Sequence, residues 1–237
     1  VSLSDTTLAA SVLNTLDGNS SGVINAGSIN TLSGSYADLN TAFTANGNGS
    51  ISGLGNEAVS ISGAVSVAEA NTIAAFTSGV VTVTLSDGDM ATLAGLNETG
   101  NAYSITITDN SVAAAALNTL DGKTTTAINA NNITTLTGAA ADLNTAYASS
   151  GISNLGNEAI TLSDSSLAAS VLNTLNSHTS GVINATSINT LTGAAADLNS
   201  AYAANGSGIS GLGNDAVSIN ASGLAASDHN SLDGITS

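Results

Sequence analysis

The chain has 237 residues, and its 17 acidic residues face a single basic residue, Lys123, so the formal net charge is −16. It has no Cys, which excludes disulfides and thiolate metal sites. Nucleic acids are bound through clusters of Lys and Arg, so this composition argues against a nucleic-acid partner and leaves cations, above all Ca²⁺, as the charged partners to consider.

The apolar residues, 42% of the chain, are Ala, Val, Ile and Leu far more often than aromatics. Their placement is periodic, which argues for a folded chain built in thin, regular layers. No run of about 18 apolar residues is present, so we expect no membrane insertion. The chain does not open with a signal peptide, and we expect any export signal to lie outside it.

A first motif opens the chain and returns three times. Apolar and polar residues alternate over 1–3, which predicts a half-buried strand. Apolar residues then recur at the spacing of one helix face. These residues are Leu8, Val12, Leu13 and Leu16. The copies read VSLSDTTLAASVLNTLDG at 1–18, SITITDNSVAAAALNTLDG at 104–122, ITLSDSSLAASVLNTLN at 160–176 and VSINASGLAASDHNSLDG at 217–234.

Polar residues and glycines mark the ends of the helix in this first motif. Asp109 and Asp164 precede it and predict side-chain N-caps, because a carboxylate can accept a free amide N–H of the first turn. Gly18 and Gly122 follow it and predict helix stops.

A second motif follows the first and contains a short strand, a turn of helix at 29–32 and then a longer helix. Its copies read VINAGSINTLSGSYADLNTAF at 23–43, INANNITTLTGAAADLNTAY at 128–147 and VINATSINTLTGAAADLNSAY at 182–202. Each copy leads into a Gly/Asn-rich tail that ends in GNEA or GNDA. The two motifs and the tail together repeat every 55 to 58 residues.

This repetition predicts an α/β repeat solenoid of stacked short parallel strands and short helices, because one such unit cannot bury its apolar side alone. An all-β solenoid is the alternative, since Ser, Thr and Asn lower helix propensity. The predicted array covers 1–237 as one domain. Its units are 1–22, 23–58, 59–79, 80–102, 103–127, 128–159, 160–181, 182–216 and 217–237. The stretch 59–102 interrupts the alternation with two divergent first-motif units.

Asparagines recur in register in both motifs. An amide both donates and accepts, so we expect stacked Asn residues to satisfy backbone groups at the corners of the coils. The two series are Asn25, Asn129 and Asn184 after the second-motif strand, and Asn14, Asn118 and Asn173 inside LNTL.

The strings LAASVLNTLDG at 8–18, INTLTGAAADLN at 188–199 and ISGLGNEAVSI at 51–61 resemble the repeat arrays of giant cell-surface proteins of marine cyanobacteria and other bacteria. The shorter AADLN and NSLDGITS resemble repeats of bacteriophage tail fibres, with Asp where those usually have Glu. The resemblance implies an extracellular or cell-surface, elongated, structural or adhesive protein, and it carries over no catalytic residue.

Acidic residues are the candidates for a Ca²⁺ site, because Ca²⁺ takes oxygen ligands. Glu57, Glu158 and Asp215 recur after Gly-Asn, just before a strand. Asp87 and Asp89 form the densest acidic pair of the divergent middle, where a helix start is the competing interpretation. Another acidic series lies near the start of the second-motif helix, where it is expected to complement the helix N-terminus. This series is Asp38, Asp142 and Asp197.

Catalysis would need groups with tunable acid–base behaviour, and the chain offers His178 and His229 without a nucleophile motif around them. We therefore expect that the chain is not an enzyme and that it requires no cofactor. The sequence predicts a rigid, acidic fibre, filament or surface-layer module that assembles with neighbouring repeats end to end. The alternatives are an adhesin that binds Ca²⁺ or surface glycans, and a segment of a phage tail fibre.

Overall fold

The computed structural model describes residues 1–213 and 215–220, which form short parallel strands and short helices. The α/β class is thereby confirmed, and the all-β alternative is wrong, because the Ala- and Leu-containing segments of both motifs form helices. The eight helices of the described residues are α1 (Ala10–Asn19), α2 (Tyr36–Asn48), α3 (Val67–Ala74), α4 (Met90–Leu93), α5 (Ala114–Asp121), α6 (Ala140–Ala148), α7 (Ala169–His178) and α8 (Ala195–Ala204).

The described residues also form seventeen strands, most of them only two to four residues long. They are β1 (Thr7–Ala9), β2 (Ile24–Asn25), β3 (Thr31–Gly34), β4 (Ile51–Ser52), β5 (Ala58–Val65), β6 (Val81–Leu85), β7 (Ala102–Ser104), β8 (Ser111–Ala113), β9 (Ile128–Asn129), β10 (Thr135–Gly138), β11 (Ile152–Ser153), β12 (Ala159–Leu162), β13 (Ser166–Ala168), β14 (Ile183–Asn184), β15 (Thr190–Gly193), β16 (Ile209–Ser210) and β17 (Ala216–Ile219).

The chain divides into two compact units. Unit 1 contains Val1–Thr106 and Leu120–Ile128, and unit 2 contains Ile107–Thr119 and the chain from Asn129 onward. Each unit has its own parallel sheets.

In unit 1 the main sheet has the strand order β1-β3-β5-β6-β7. All four pairings are parallel, and apolar residues of successive strands occupy the same register, as where Leu32 pairs with Leu8 on one side and Val59 on the other. Leu32 and Val59 are buried. A helix or loop separates each strand from the next, which is why short parallel strands can stack here.

In unit 2 one sheet has the order β16-β14-β12-β10-β8 and a second has the order β13-β15-β17. Leu136 at the centre of β10 pairs with Val112 of β8 and Ile160 of β12, and all three are buried. The core is therefore a column of aliphatic side chains, one level per strand. Its thinness explains why few aromatic residues are needed.

The helices of each unit pack in sequence order, α1 on α2 on α3 in unit 1 and α6 on α7 on α8 in unit 2. The LNTL asparagines link these helices, because each Nδ2 donates to a backbone carbonyl in the following helix, 24 residues later. The pairs are Asn14 to Asp38, Asn118 to Asp142 and Asn173 to Asp197, each at 2.9 Å. These asparagines thus join helices, and the prediction that they lie at the coil corners is wrong.

The second asparagine series does lie at the corners, as predicted. Each Oδ1 accepts the backbone N–H two residues further on, which closes a local turn after the strand. The pairs are Asn25 with Gly27 at 3.0 Å, Asn129 with Asn131 at 3.2 Å and Asn184 with Thr186 at 3.1 Å.

The predicted start of the first-motif helix is wrong. Its predicted stop is wrong for Gly18 but confirmed for Gly122, which directly follows α5. Leu8 belongs to strand β1, and α1 begins two residues later, after Ala9, which gives no side-chain cap. Asp164 does not cap its own helix; its carboxylate accepts the N–H of Ala140 at the start of α6, at 2.8 Å. Gly18 lies inside α1, which ends at Asn19. The segment 29–32 is a turn and the start of β3, so the short helix predicted there is also wrong.

Every helix within the described part of the chain is too short or too polar to span a lipid bilayer.

Leu136→Ala tests the stacked core. Leu136 is 0% exposed, so truncation leaves a cavity between two neighbouring strands and should lower the free energy of unfolding by about 2–5 kcal/mol. Val182→Ala is the control, since Val182 is 45% exposed and its loss should cost less than about 0.5 kcal/mol. Urea denaturation measures both, and equal effects would contradict the assigned core.

Candidate functional site

Three acidic side chains that the sequence singles out are buried at the same point of the repeat. Glu57 is 1% exposed, Glu158 is 0% exposed and Asp215 is 7% exposed. Each lies near the end of the Gly/Asn-rich tail, directly before a strand. We call these places acidic corners: Gly55–Glu57, Gly156–Glu158, and Gly213 with Asp215.

Backbone amides of its own loop hold each corner carboxylate. The Gly156 N–H donates to both carboxylate oxygens of Glu158, at 2.8 and 3.1 Å, and the Gly55 N–H does the same to Glu57 at 2.9 and 3.2 Å. The Gly213 N–H donates to Asp215 at 3.0 Å. A buried carboxylate is tolerated only when hydrogen bonds replace its hydration, and these amides supply them.

The backbone conformation at these donor positions requires glycine. Gly55, Gly156 and Gly213 have φ values of 137°, 138° and 130°, in the left-handed region that favours glycine. The recurrent Gly-Asn before the acid therefore indicates a turn, and the buried carboxylate stabilises that turn by accepting its amide hydrogen bonds.

A tyrosine from the preceding helix completes two of the three corners. The Tyr147 hydroxyl, in α6, donates to Glu158 at 2.9 Å, and the Tyr202 hydroxyl, in α8, donates to Asp215. Phe43 stands at the same place in α2 and has no hydroxyl to offer Glu57. There the Asn56 N–H adds a second backbone donor to the carboxylate, at 3.2 Å.

The next coil packs directly on the backbone of each Glu corner. The Thr179 hydroxyl donates to the carbonyl of Glu158 at 2.7 Å, and the Gly181 N–H donates back to that hydroxyl at 2.9 Å. Thr77 and Gly79 repeat both bonds on Glu57, at 2.6 and 3.0 Å. A Cβ on Gly181 would lie 2.1 Å from the Glu158 carbonyl oxygen, so no larger residue fits without displacing backbone.

Aromatic stacking joins the same coils. Tyr147 stacks on His178 with ring centroids 5.5 Å apart and planes 6° from parallel, and Phe43 stacks on Phe76 at 5.2 Å and 10°. His178 therefore takes the place of Phe76 in the second unit and acts as a packing surface for a ring. The other histidine, His229, lies outside the described residues.

Tyr147 and Tyr202 have raised pKa values. For Tyr147 the causes are burial, then the negative charge of Glu158, then the hydrogen bond to it. For Tyr202 they are burial, then the hydrogen bond to Asp215, then the charge of Asp215. Both phenols stay protonated and can donate to their carboxylates over the whole neutral range.

The remaining acidic candidates cap helices. Asp89 is the N-cap of α4 and accepts the Thr92 N–H at 2.9 Å, which lowers its pKa. Asp87 accepts the Val67 N–H at the start of the neighbouring helix α3, at 2.7 Å. The competing interpretation of this pair, a helix start, is confirmed for Asp89. Asp38, Asp142 and Asp197 lie in the first turns of α2, α6 and α8, as predicted.

The structure brings none of the five Ca²⁺ candidates into a shared cluster. Within residues 1–213 and 215–220, no group of three or more His, Asp or Glu side chains could hold a metal ion. Ca²⁺ needs six to eight oxygen ligands, whereas each candidate carboxylate accepts hydrogen bonds from the protein itself. Calcium binding by these residues stays a prediction.

A polar groove of about 380 Å³ opens in unit 1 along α1 and α2. Its wall offers hydroxyl, amide and carboxylate groups, and the Ser50 hydroxyl donates to the Asp17 carboxylate at 3.0 Å within it. The lining residues are Asp17, Asn40, Thr41, Thr44, Ala45, Asn48 and Ser50. Sequence reasoning did not single out this groove.

The segments that pack on the backbone of the Glu corners were also not predicted, although the sequence contains one signal for them. The tetrapeptide Thr-Ser-Gly-Val occurs at 77–80 and again at 179–182, and each copy supplies the Thr and Gly that close on a Glu corner. Its repetition, 20 residues after Glu57 and 21 residues after Glu158, could have identified the contact.

Gly181→Ala tests the close approach at the Glu158 corner. The added Cβ collides with the Glu158 carbonyl, so unfolding should become easier by about 1–3 kcal/mol or more. Gly22→Ala is the matched control, because Gly22 also precedes a Val-Ile pair but has open space around it. Thermal and urea denaturation compare the two variants, and a neutral Gly181→Ala would contradict the contact.

Tyr147→Phe tests the buried hydroxyl. Loss of a hydrogen bond to a buried carboxylate should lower the free energy of unfolding at neutral pH by about 1–3 kcal/mol. Phe43→Tyr is the reciprocal variant, which adds a hydroxyl at the equivalent place and should be neutral or stabilising.

The raised pKa of Tyr147 also predicts a pH dependence. The unfolded chain releases the Tyr147 proton above about pH 10 while the folded chain retains it, so the free energy of unfolding falls as the pH rises beyond that point. The decline should be shallower in Tyr147→Phe, as measured by urea denaturation between about pH 8 and 11. Identical slopes in the two proteins would contradict a buried, protonated Tyr147.

Comparison with protein-family models and with curated proteins finds no match for this chain. The acidic corners and the strand stacking are therefore the basis on which its function has to be inferred.

Proposed function

We propose that the chain is a structural repeat module, a solenoid of parallel coils that serves as a rigid, acidic element of an extracellular or cell-surface protein. The observation that carries the proposal is the acidic corner. At Glu158 the buried carboxylate accepts hydrogen bonds from the Gly156 N–H and the Tyr147 hydroxyl. The backbone carbonyl of the same residue accepts one from Thr179, so the acid is held by the protein itself.

The repetition of the corner supports the same function. The Glu158 corner repeats the Gly and Thr bonds of the Glu57 corner, and differs in having the Tyr147 hydroxyl as a donor where the Glu57 corner has the Asn56 N–H. Side chains that bind a ligand would be expected at one place in the chain. Side chains that hold stacked repeats together would be expected at each level of the array. The recurrent polar residues of this chain follow the second pattern.

The composition supports a place outside the cell and a non-catalytic role. A net charge of −16 keeps such arrays soluble and apart from anionic surfaces. The resemblance of LAASVLNTLDG and INTLTGAAADLN to bacterial surface-protein arrays, and of AADLN to phage tail-fibre repeats, points the same way. The proposal includes the prediction that residues 1–237 form a single array of nine units.

A length series tests the solenoid. Inserting one or two further copies of 128–181 should lengthen the particle by about 10 Å per copy, since each copy adds two strand levels of about 4.8 Å. Each insertion should also raise the melting temperature, because it adds a neighbour interface. Small-angle scattering and calorimetry measure both. Growth in all dimensions, or lower stability with each copy, would contradict the proposal.

The polar groove in unit 1 favours a second candidate, an adhesive module that binds a neutral glycan through Asn40, Thr44 and their neighbours. Hydroxyl and amide groups on an open wall suit sugar hydroxyls. Titration calorimetry with a panel of neutral oligosaccharides and with Ca²⁺ tests it. Binding that Asn40→Ala abolishes would establish the adhesive function, and an absence of heat with every ligand would reject it.

A further inference from the structure

A further corner of unit 1 lies in the divergent middle of the chain and lacks the buried acid. The Thr124 hydroxyl donates to the backbone carbonyl of Tyr103 at 2.8 Å. Thr77 makes the same bond to the carbonyl of Glu57 at 2.6 Å. The Thr126 N–H donates back to the Thr124 hydroxyl at 3.1 Å, a bond that both Glu corners also have. Tyr103 therefore stands where the Glu corners place their acid, and we call Asn101–Tyr103 the tyrosine corner.

The side chain at the tyrosine corner is buried without a hydrogen bond. Tyr103 is 0% exposed, and its hydroxyl has no hydrogen-bond partner among the described residues. Asn101, two residues earlier, directs its Oδ1 to the Val81 N–H at 2.8 Å. An unpaired buried hydroxyl costs free energy, whereas the carboxylates of the Glu corners accept strong, charge-assisted hydrogen bonds. The tyrosine corner is therefore held less tightly than the Glu corners.

The loop that closes on the tyrosine corner carries the only basic residue of the chain. Lys123 occupies the position that Phe76 and His178 hold at the Glu corners. Those two residues each stack on another aromatic ring. Lys123 instead donates from its Nζ to the Asn97 carbonyl at 3.1 Å, in an exposed position. Ordering a long lysine side chain costs conformational entropy, so this bond replaces the ring stack only weakly.

We propose that the tyrosine corner opens before the rest of unit 1, and that its opening presents the Lys123–Thr124 peptide bond to proteases that cleave after lysine. The chain has no other Lys and no Arg, so this is the one bond that an enzyme of this specificity can hydrolyse. Hydrolysis consumes one water molecule and leaves a carboxylate on Lys123 and an amino group on Thr124. The tyrosine corner is thus a processing site in a chain that otherwise resists this class of protease.

The closed corner protects this bond. Residues 121–127 are exposed or half-buried, so a protease can approach them. The Thr124 hydroxyl, however, bonds to both the N–H and the carbonyl of Tyr103, at 3.0 and 2.8 Å. Both bonds must break before the segment can extend into a protease, so the cleavage rate measures how often the corner is open.

Limited digestion of the full chain with trypsin tests the proposal. His178→Lys creates a second tryptic bond at the equivalent position of the Glu158 corner, so one molecule contains both sites. We expect cleavage after Lys123 to be at least about 10-fold faster than cleavage after residue 178, once each rate is divided by that of the urea-unfolded chain. The substitution also removes a ring stack, which favours the second site and makes the comparison strict. Equal rates, faster cleavage at the second site, or no cleavage after Lys123 would overturn the proposal.

Tyr103→Phe tests the cause of the opening. Removal of the unpaired hydroxyl stabilises the closed corner, so cleavage after Lys123 should slow by about 5-fold or more. Tyr147→Phe is the matched control, because it removes a hydroxyl that has a partner in unit 2, and it should leave this rate unchanged. A rate that Tyr103→Phe does not lower would contradict a corner weakened by its tyrosine.

Leu32→Val separates local opening from unfolding of unit 1 as a whole. Leu32 is 0% exposed in β3, and two strands lie between β3 and β7, so this truncation weakens the core without touching the corner. Local opening predicts an unchanged rate of cleavage after Lys123, although urea denaturation shows a less stable unit. A cleavage rate that rises in proportion to the lost stability would mean that the whole unit unfolds first, and the proposal would be wrong.

Discussion

The structure depends on one constraint: each short strand must pair in parallel and in register with the strand one coil away. A strand of three or four residues makes too few hydrogen bonds to persist alone, so its stability comes from the neighbouring levels. Leu136, between Val112 and Ile160, shows what this requires of the sequence. An aliphatic residue must return at the same height in every coil, and residues between the strands must form turns of matching geometry.

The acidic corners meet the second requirement. A loop that changes direction leaves backbone amides pointing inward, where water cannot reach them. Glu158 accepts the inward N–H of Gly156, receives the Tyr147 hydroxyl, and offers its own carbonyl to Thr179 in the next coil. The Glu158 side chain thereby holds its own turn in place. The Glu158 carbonyl, through its bond to Thr179, sets the distance to the segment that follows. Burial of an acid usually suggests catalysis or metal binding, whereas here the acid is bonded to its own turn and, through its carbonyl, to the segment that follows.

Much of this architecture could be predicted from the sequence because it repeats. The α/β class and the burial of Leu13 followed from the spacing of residue types, whereas Val12 and Leu16 of the same predicted helix face are exposed. The wrong predictions concern residues whose positions are set by contacts with segments that are distant in the sequence. Leu8 continues the helical spacing of α1 but lies in β1, because pairing with β3 outweighs the helical pattern. Asp164 precedes α7 but caps α6, 24 residues away, and no local spacing predicts that contact. The hydrogen bond between Tyr147 and Glu158 likewise joins a helix to the end of a later loop, and local spacing does not predict it.

Native-state hydrogen exchange tests most directly the claim that in-register stacking holds the coils together. The amides of Leu32 and Val59 in unit 1, and of Leu136 and Ile160 in unit 2, lie in strands with partners on both sides. If in-register stacking holds each unit together, these amides are the last to exchange in their units and do so only when the whole unit unfolds. Exchange of these amides within seconds, while the helices stay protected, would contradict it.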